Sequence, residues 1–451
     1  MLSDLPYDIL LEIAEWLATR DQCSLRLTSL PICIALTSSF YHALPLWLHD
    51  PGLPVFLRSA DEGIFDSWLA GARVLRIPRT YEFAGADGGK TLTYEADLTP
   101  VLSRLRNIQS VQWVFQEHEI RPTTHALLST LAHLPISQLD LTTESSYLVP
   151  PLHAYLPGPT RLTTLKIATR GWRPSAPVLG PTIAALVAGS PQLTTLHLLG
   201  GCDWSDVWRA LVPRRLRELV TGQSSPALLD YLESYDGLEV LRLVEVGIPS
   251  VSAVEEDAMA ARFWGRVLPM HADGLVRLEV GAAYEGGWCV PLGAEWCHRD
   301  SPRAGALETL GQLSRLRKLT LSVAGKDVFQ STSNPSPRRL TSLLTNTLSL
   351  PRLTTLTLRS APTREAPTND PTQTPLAFGI GMTPARWYAS HVERAIRNAI
   401  EELSEKHRNA EIAVGDLVYR APVGGGNGSG DVAEYPFRSA PRRGIWLHRL
   451  S

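Results

Sequence analysis

The sequence predicts an α/β fold: a small all-α N-terminal module, then an irregular solenoid built as a curved parallel sheet with helices on its convex side. Three observations carry this expectation. Residues 2–21 hold one amphipathic helix, a Leu-x-x-Leu-x-Leu pattern recurs through residues 100–360, and a helical stretch precedes many of its copies.

The helix comes first. In LSDLPYDILLEIAEWLATRD (Leu2–Asp21), Leu5, Ile9, Ile13 and Leu17 recur every four residues, with Leu10 and Ala14 beside them, so one stripe of the helix is apolar. Pro6 suits the first turn, where a missing N–H costs nothing. Asp4 and Asp8 complement the positive helix N-terminus. Beyond Asp21 come Leu27-Thr28-Ser29 and, nine residues on, Leu36-Thr37-Ser38 with Phe40. Leu-Pro, an acid, an apolar helix, Asp, Leu-Thr-Ser and an aromatic residue, in that order, resemble a fungal-type F-box. That short helical module plugs a substrate receptor into an SCF-type ubiquitin ligase. The resemblance covers residues 2–50. The family pattern has one Leu-Thr-Ser, so the second copy, with Pro31 between, is a departure that bears on the middle helix and not on the first. The resemblance implies that Leu5, Pro6, Ile9, Leu10 and Ile13 bind the ligase's adaptor subunit and, through it, the cullin.

The repeats follow. Clear copies are Leu162-Leu165-Ile167, Leu193-Leu196-Leu198, Leu238-Leu241-Leu243, Leu275-Leu278-Val280, Leu316-Leu319-Leu321 and Leu353-Leu356-Leu358. Three share wording: RLTTLKI, QLTTLHL and RLTTLTL. Weaker copies are Ile108-Val111-Trp113, Ile136-Leu139-Leu141 and Leu216-Leu219, the last with Thr221 at its third position; an irregular further copy stands at Ala72-Leu75-Ile77. The last two apolar positions lie two residues apart and share one face of a short strand. Helical stretches are expected at Thr124–His133, Thr182–Ala188, Ala227–Ser234 and Leu340–Leu348. Helix, turn and strand repeated in this way resemble a leucine-rich repeat solenoid, in which each unit buries its apolar face only against its neighbours. The steps run from 22 residues (Leu216 to Leu238) to 41 (Leu275 to Leu316), against about 20–29 for a regular array. The long steps hold insertions at Tyr284–Gly305 and Gly325–Arg338. A general α/β protein with leucine-rich strands is the alternative.

The expected organisation is therefore an F-box-like module at 2–50, a linker or N-terminal cap at 51–100 and the repeat solenoid at 101–360. A Pro/Thr-rich loop at 361–384, a helix–strand cap at 385–420 and a Gly-rich, basic tail at 421–451 complete it. In the cap, Ala385–His407 reads as a helix with Val392, Ile396, Ala399, Ile400 and Leu403 on one side, and Glu411–Tyr419 as a last strand. GGGNGSG (Gly424–Gly430) precedes Arg438, Arg442, Arg443 and Arg449.

Composition narrows the function. A net charge of −2 argues against nucleic acid as the main partner, which needs a local excess of Lys and Arg. No apolar run is long enough for a membrane span, and the acids among the first residues are unlike a secretory signal. Five scattered cysteines (Cys23, Cys33, Cys202, Cys289, Cys297) fit a reducing compartment, so cytoplasm, nucleus or both are expected. Gly85–Thr91 has one residue too few for a phosphate-binding loop and reads as a hairpin tip. Cys289, Cys297 and His298 lack the spacing and fourth ligand of a zinc site. No cofactor is expected.

The chain is expected to be a non-catalytic receptor, with a target protein held on the concave strand face near the ubiquitin-loaded enzyme. The residues flanking the buried leucines there are Lys166, His197, Glu218, Arg242, Arg277, Glu279, Lys318 and Arg359. Their mixed signs fit a polar protein partner, although each is also an ordinary solvated residue. A repeat scaffold without a ligase link, or an enzyme with a deep polar pocket, are the alternatives. Trp113, Trp172, Trp204, Trp208, Trp264, Trp288 and Trp296 are expected to pack cores and loops.

Overall fold

The structure is a computed structural model. It describes residues 5–17, 21, 24, 25, 27–29, 32, 33, 42–46, 53–63, 65–78, 98–115, 127–143, 161–169, 179–212, 214–247, 252–290, 306–325, 328, 337–362, 384–401, 403, 411–414, 417–419, 435 and 436. The chain divides into two compact units, Met1–Leu211 and Val212–Ser451.

The first unit opens with the helix Tyr7–Trp16. Its sheet contains β1 (Ala43–Pro45), β2 (Val74–Ile77), β3 (Ser110–Phe115), β4 (Gln138–Thr143), β5 (Thr164–Thr169) and β6 (Thr195–Leu199). Each strand pairs in parallel with the next. The register aligns Leu75, Val111, Leu139, Leu165 and Leu196 in one row and Ile77, Trp113, Leu141, Ile167 and Leu198 in the next. All ten are buried. β1 and β2 lie within the spans expected as helical module and linker, so this unit's sheet starts before residue 101. The alternation of apolar and polar residues in Val74–Ile77 is the signal that places β2 there.

The second unit repeats the plan with β7 (Glu218–Thr221), β8 (Val240–Val246), β9 (Arg277–Ala282), β10 (Lys318–Val323), β11 (Thr355–Ser360) and β12 (Glu411–Val414), again parallel. One row reads Leu219, Leu241, Leu278, Leu319, Leu356 and Ile412; the next reads Thr221, Leu243, Val280, Leu321, Leu358 and Val414. Thr221, the polar exception in the pattern, is fully buried and its hydroxyl accepts from the Gln223 N–H at 3.2 Å, so the interior position remains satisfied. The expected last strand is two: β12 turns back into an antiparallel β13 (Leu417–Tyr419), which pairs with β14 (Tyr435–Pro436) inside the span expected as tail.

Unequal repeats stack evenly because their contact is made at one fixed place. Just before each of β2–β6 and β8–β11, one carbonyl of the preceding repeat accepts two consecutive N–H groups. Ser137 O takes Thr163 N and Thr164 N, Thr163 O takes Thr194 N and Thr195 N, and in the second unit Arg317 O takes Thr354 N and Thr355 N. The shared Leu-Thr-Thr wording has the same cause. The first threonine hydroxyl donates to that same carbonyl: Thr163 to Ser137 O at 3.1 Å, Thr194 to Thr163 O at 3.3 Å and Thr354 to Arg317 O at 2.9 Å. Extra residues enter elsewhere in the step and leave this register untouched.

Helices Leu179–Ala188 and Pro337–Leu348 cover their expected stretches, Pro226–Leu232 ends two residues short of the expected Ser234, and residues 127–131 are helical. Ser205–Leu211, Ala253–Arg262 and Ala306–Gln312 are additional. The second of these begins with a capping box, Ser252 with Glu255, and runs into a π-helical turn, Phe263–Val267. The terminal helix is Pro384–Glu401, with Val392, Ile396, Ala399 and Ile400 buried. Among the described residues no helix is long and apolar enough to cross a membrane. The phosphate-loop look-alike at Gly85–Thr91, the second Leu-Thr-Ser, Trp172, Trp296, Cys297 and His298 lie outside the described residues.

Candidate functional site

Two surfaces gather the residues that the sequence singles out. The first belongs to the N-terminal module. Pro6 stands just before the helix, and its carbonyl accepts the first helical bond, from Leu10 N at 3.1 Å. It therefore takes the cap position, one residue earlier than expected, where a missing N–H is equally harmless. Pro6 is exposed, Ile9 is 38% exposed, Leu5 and Ile13 are half-buried, and Leu10 is buried.

The Leu27-Thr28-Ser29 motif explains the burial of Leu10. The Thr28 hydroxyl donates to Leu25 O at 2.6 Å. The Ser29 hydroxyl accepts from Ile32 N at 3.4 Å, and the Ser29 carbonyl from Cys33 N at 2.9 Å. These bonds close a turn and cap the next, and they seat Ile32 against Leu10, with Leu5 and Leu25 packed on the pair. Of the five residues assigned to the adaptor, Leu10 thus lies in the module's own small core. Two apolar residues left unassigned are the most open: Trp16 is 89% and Leu27 88% exposed. Trp16 lies seven residues after Ile9, two helical turns on, so Ile9, Ile13 and Trp16 continue one stripe. That spacing was a legible signal for Trp16; Leu27, outside any helix, has none.

The second surface is the strand face opposite the buried leucines. In the first unit, register aligns Asp140, Lys166 and His197 across β4, β5 and β6. Partial burial raises the Asp140 pKa, an effect opposed by the Lys166 charge. In the second unit, four of the expected residues converge. The Glu279 side chain is only 3% exposed. It accepts from Arg242 Nε at 2.7 Å and Arg359 Nη1 at 3.3 Å, and Arg277 Nη2 lies 3.5 Å away. Arg242 and Glu279 are register partners on β8 and β9, whereas Arg359 reaches over from β11. Exposed Lys318 is the register partner of Arg277. Burial, then the like charge of Arg242, lowers the Arg277 pKa, and Glu279 opposes both. Glu218 is half-buried on β7.

After β9 the Gly/Trp/Cys insertion is a built strap over its described part. Gly287 N donates to Asp257 Oδ1 at 2.7 Å, and Trp264 Nε1 to Gly287 O at 3.1 Å. Trp288 Nε1 donates to buried Glu256 at 2.7 Å. The π-helical turn supplies both Phe263, which meets the Trp288 ring, and Trp264. Trp113, Trp204, Trp208, Trp264 and Trp288 are all buried, and so is Cys289.

The comparisons bear on the first surface. A model of the F-box domain matches residues 2–30. No curated protein matches the chain at a significant level.

Proposed function

Taking the F-box domain at residues 2–30 as its starting point, we propose that this chain is a substrate-recognition subunit of an SCF-type cullin-RING ubiquitin ligase. It binds the adaptor through the N-terminal module and a target protein through the repeat face, and it carries no catalytic step. F-box domains in general bind the adaptor subunit of such ligases. The observation that carries the reading is the domain match together with the apolar residues that the module leaves open to solvent.

Pro6, Ile9 and Ile13, joined by Trp16 and Leu27, form the adaptor contact in this reading. Leu5 and Leu10 hold the module in shape. Burying one large apolar side chain contributes about 1.5–3 kcal/mol, against which the cost of association is set. The target face comprises Lys166 and His197 in the first unit and Glu218, Arg242, Arg277, Lys318 and Arg359 in the second, with Glu279 as the internal partner of the arginines. Tethering a target to the ligase raises its effective concentration near the loaded ubiquitin.

The test is capture of the adaptor by the intact chain and by an Ile9→Ala/Trp16→Ala/Leu27→Ala variant, which changes only side chains open to solvent. Binding that the variant loses is the expected outcome. A folded intact chain that captures no adaptor leaves a repeat scaffold without a ligase link.

A further inference from the structure

We infer that the strand face of β8–β11 is a docking site for a short acidic segment of a protein partner. This inference rests on the target-face reading above and gives that face a chemistry. The central juxtaposition is three guanidiniums gathered on one buried carboxylate. Arg242, Arg277 and Arg359 surround Glu279 within 2.7 to 3.5 Å. Lys318 adds a fourth cation beside Arg277. Four positive charges and one internal negative charge thus share four adjacent strands, with Glu218 on the next strand also acting on Arg277.

Donor supply points the same way. Each guanidinium brings five N–H donors, while a carboxylate accepts roughly four hydrogen bonds. Glu279 cannot engage the donors of three arginines. Their side chains are 23%, 39% and 55% exposed for Arg242, Arg277 and Arg359, so the remaining donors are reachable from solvent. Thr320 and Thr357 follow Glu279 in the same register row and add hydroxyls. Glu279 acts as a fixed internal anion that holds the forks in place, and a pre-oriented fork loses less entropy on binding.

The borders of the patch set the length of the ligand. Register places Glu218, Val240, Arg277, Lys318, Thr355 and Glu411 in one row. The cations are central and an acid closes each end. Strands lie about 4.8 Å apart, so β8 to β11 spans about 14 Å, the reach of roughly four extended residues. A longer acidic run meets Glu218 or Glu411. The partner segment is therefore a brief cluster of carboxylates with non-acidic residues on either side. Nucleic acid, with charge along its whole length, does not match these acid borders.

The experiment is fluorescence anisotropy of the full-length chain with a labelled peptide of a few consecutive glutamates, against its glutamine counterpart. Three variants are compared: Arg359→Gln, Lys318→Gln and Glu279→Gln. The first two change exposed side chains, so folding persists. The glutamate peptide is expected to bind and the glutamine peptide not, with binding weakening as salt rises. Arg359→Gln and Lys318→Gln each lower affinity roughly threefold. A folded Glu279→Gln protein, in which the fixed anion no longer holds the forks in place, also binds the peptide more weakly. A glutamate peptide that fails to bind overturns the inference. So does equal binding by the wild type and all three variants, which would place the peptide elsewhere, as on the basic tail. Adaptor capture is unaffected by these variants, so failure here leaves the F-box reading standing.

Discussion

Burial decides which polar residues tune this molecule and which are bystanders. His271 is fully buried, with Nε2 3.0 Å from Leu232 O. A carbonyl only accepts, so Nε2 carries a proton in this bond, and burial favours the neutral ring. Its Nδ1 has no hydrogen-bond partner among the described residues. Burial lowers its pKa from 6.5, against weaker opposition from the Leu232 carbonyl and Asp236. The unfolded chain therefore takes up this proton first as pH falls. The stabilising contribution is complete above pH 6.5 and declines below it, until the folded-state value is passed. Urea midpoints at about pH 7.5 and about pH 5.5 should show that decline, and His271→Gln, which keeps a donor for Leu232 O, should reduce it. An equal decline in the variant would assign the effect to other groups. Little of this was legible beforehand: the sequence shows a histidine in MHADG without the carbonyl above it. Glu279 was legible as a face residue from strand alternation. The convergence of three arginines on it was not, because Arg359 is 80 residues away in sequence and meets it only through strand register.

Elements followed from local patterns where those patterns were strong. The strands were legible because burial alternates with a period of two and the leucines mark it. Helices with compact apolar periodicity, such as Leu179–Ala188, were legible as well. Ala253–Arg262 was missed because AVEEDAMAAR holds few large apolar residues, although Ser252 and Glu255 spell a capping box. The π-helical turn has no sequence signature; it is set by the packing of Phe263 and Trp264 beneath the strap. Turns between elements differ in what they allow. Gly200, directly after β6, has φ +109°, and an added Cβ would lie 1.7 Å from Thr169 Oγ1 and 2.7 Å from Thr169 O. Gly237 has φ +88° with nothing within 4 Å. Gly200→Ala is expected to cost at least about 3 kcal/mol, through backbone strain and overpacking together. Gly237→Ala should cost about 1 kcal/mol, from the left-handed conformation alone. Denaturant titration of both variants measures the contrast, and equal losses would mean that the Thr169 contact has no energetic weight.

At the scale of the whole molecule, two units share one construction: parallel strands, leucine rows and a bifurcated backbone contact repeated from strand to strand within each. The unevenness of the repeat spacing, which pointed also to a general α/β protein, is absorbed by insertions such as the strap after β9. The N-terminal module was legible from Leu5-Pro6, the four-residue apolar spacing and Leu27-Thr28-Ser29, and the domain match covers that stretch. Its division into inside and outside was less so: a stripe of leucine and isoleucine does not show which members face Ile32 and which face solvent. The measurement that tests the central claim most directly is a binding titration of purified adaptor subunit with the intact chain and an Ile9→Asp/Trp16→Asp variant. The account predicts saturable binding by the intact chain and at least a tenfold loss, about 1.4 kcal/mol or more, in a variant that keeps its thermal unfolding transition. Unchanged binding by a folded variant would contradict the proposed contact, and no binding by the intact chain would contradict the receptor role itself.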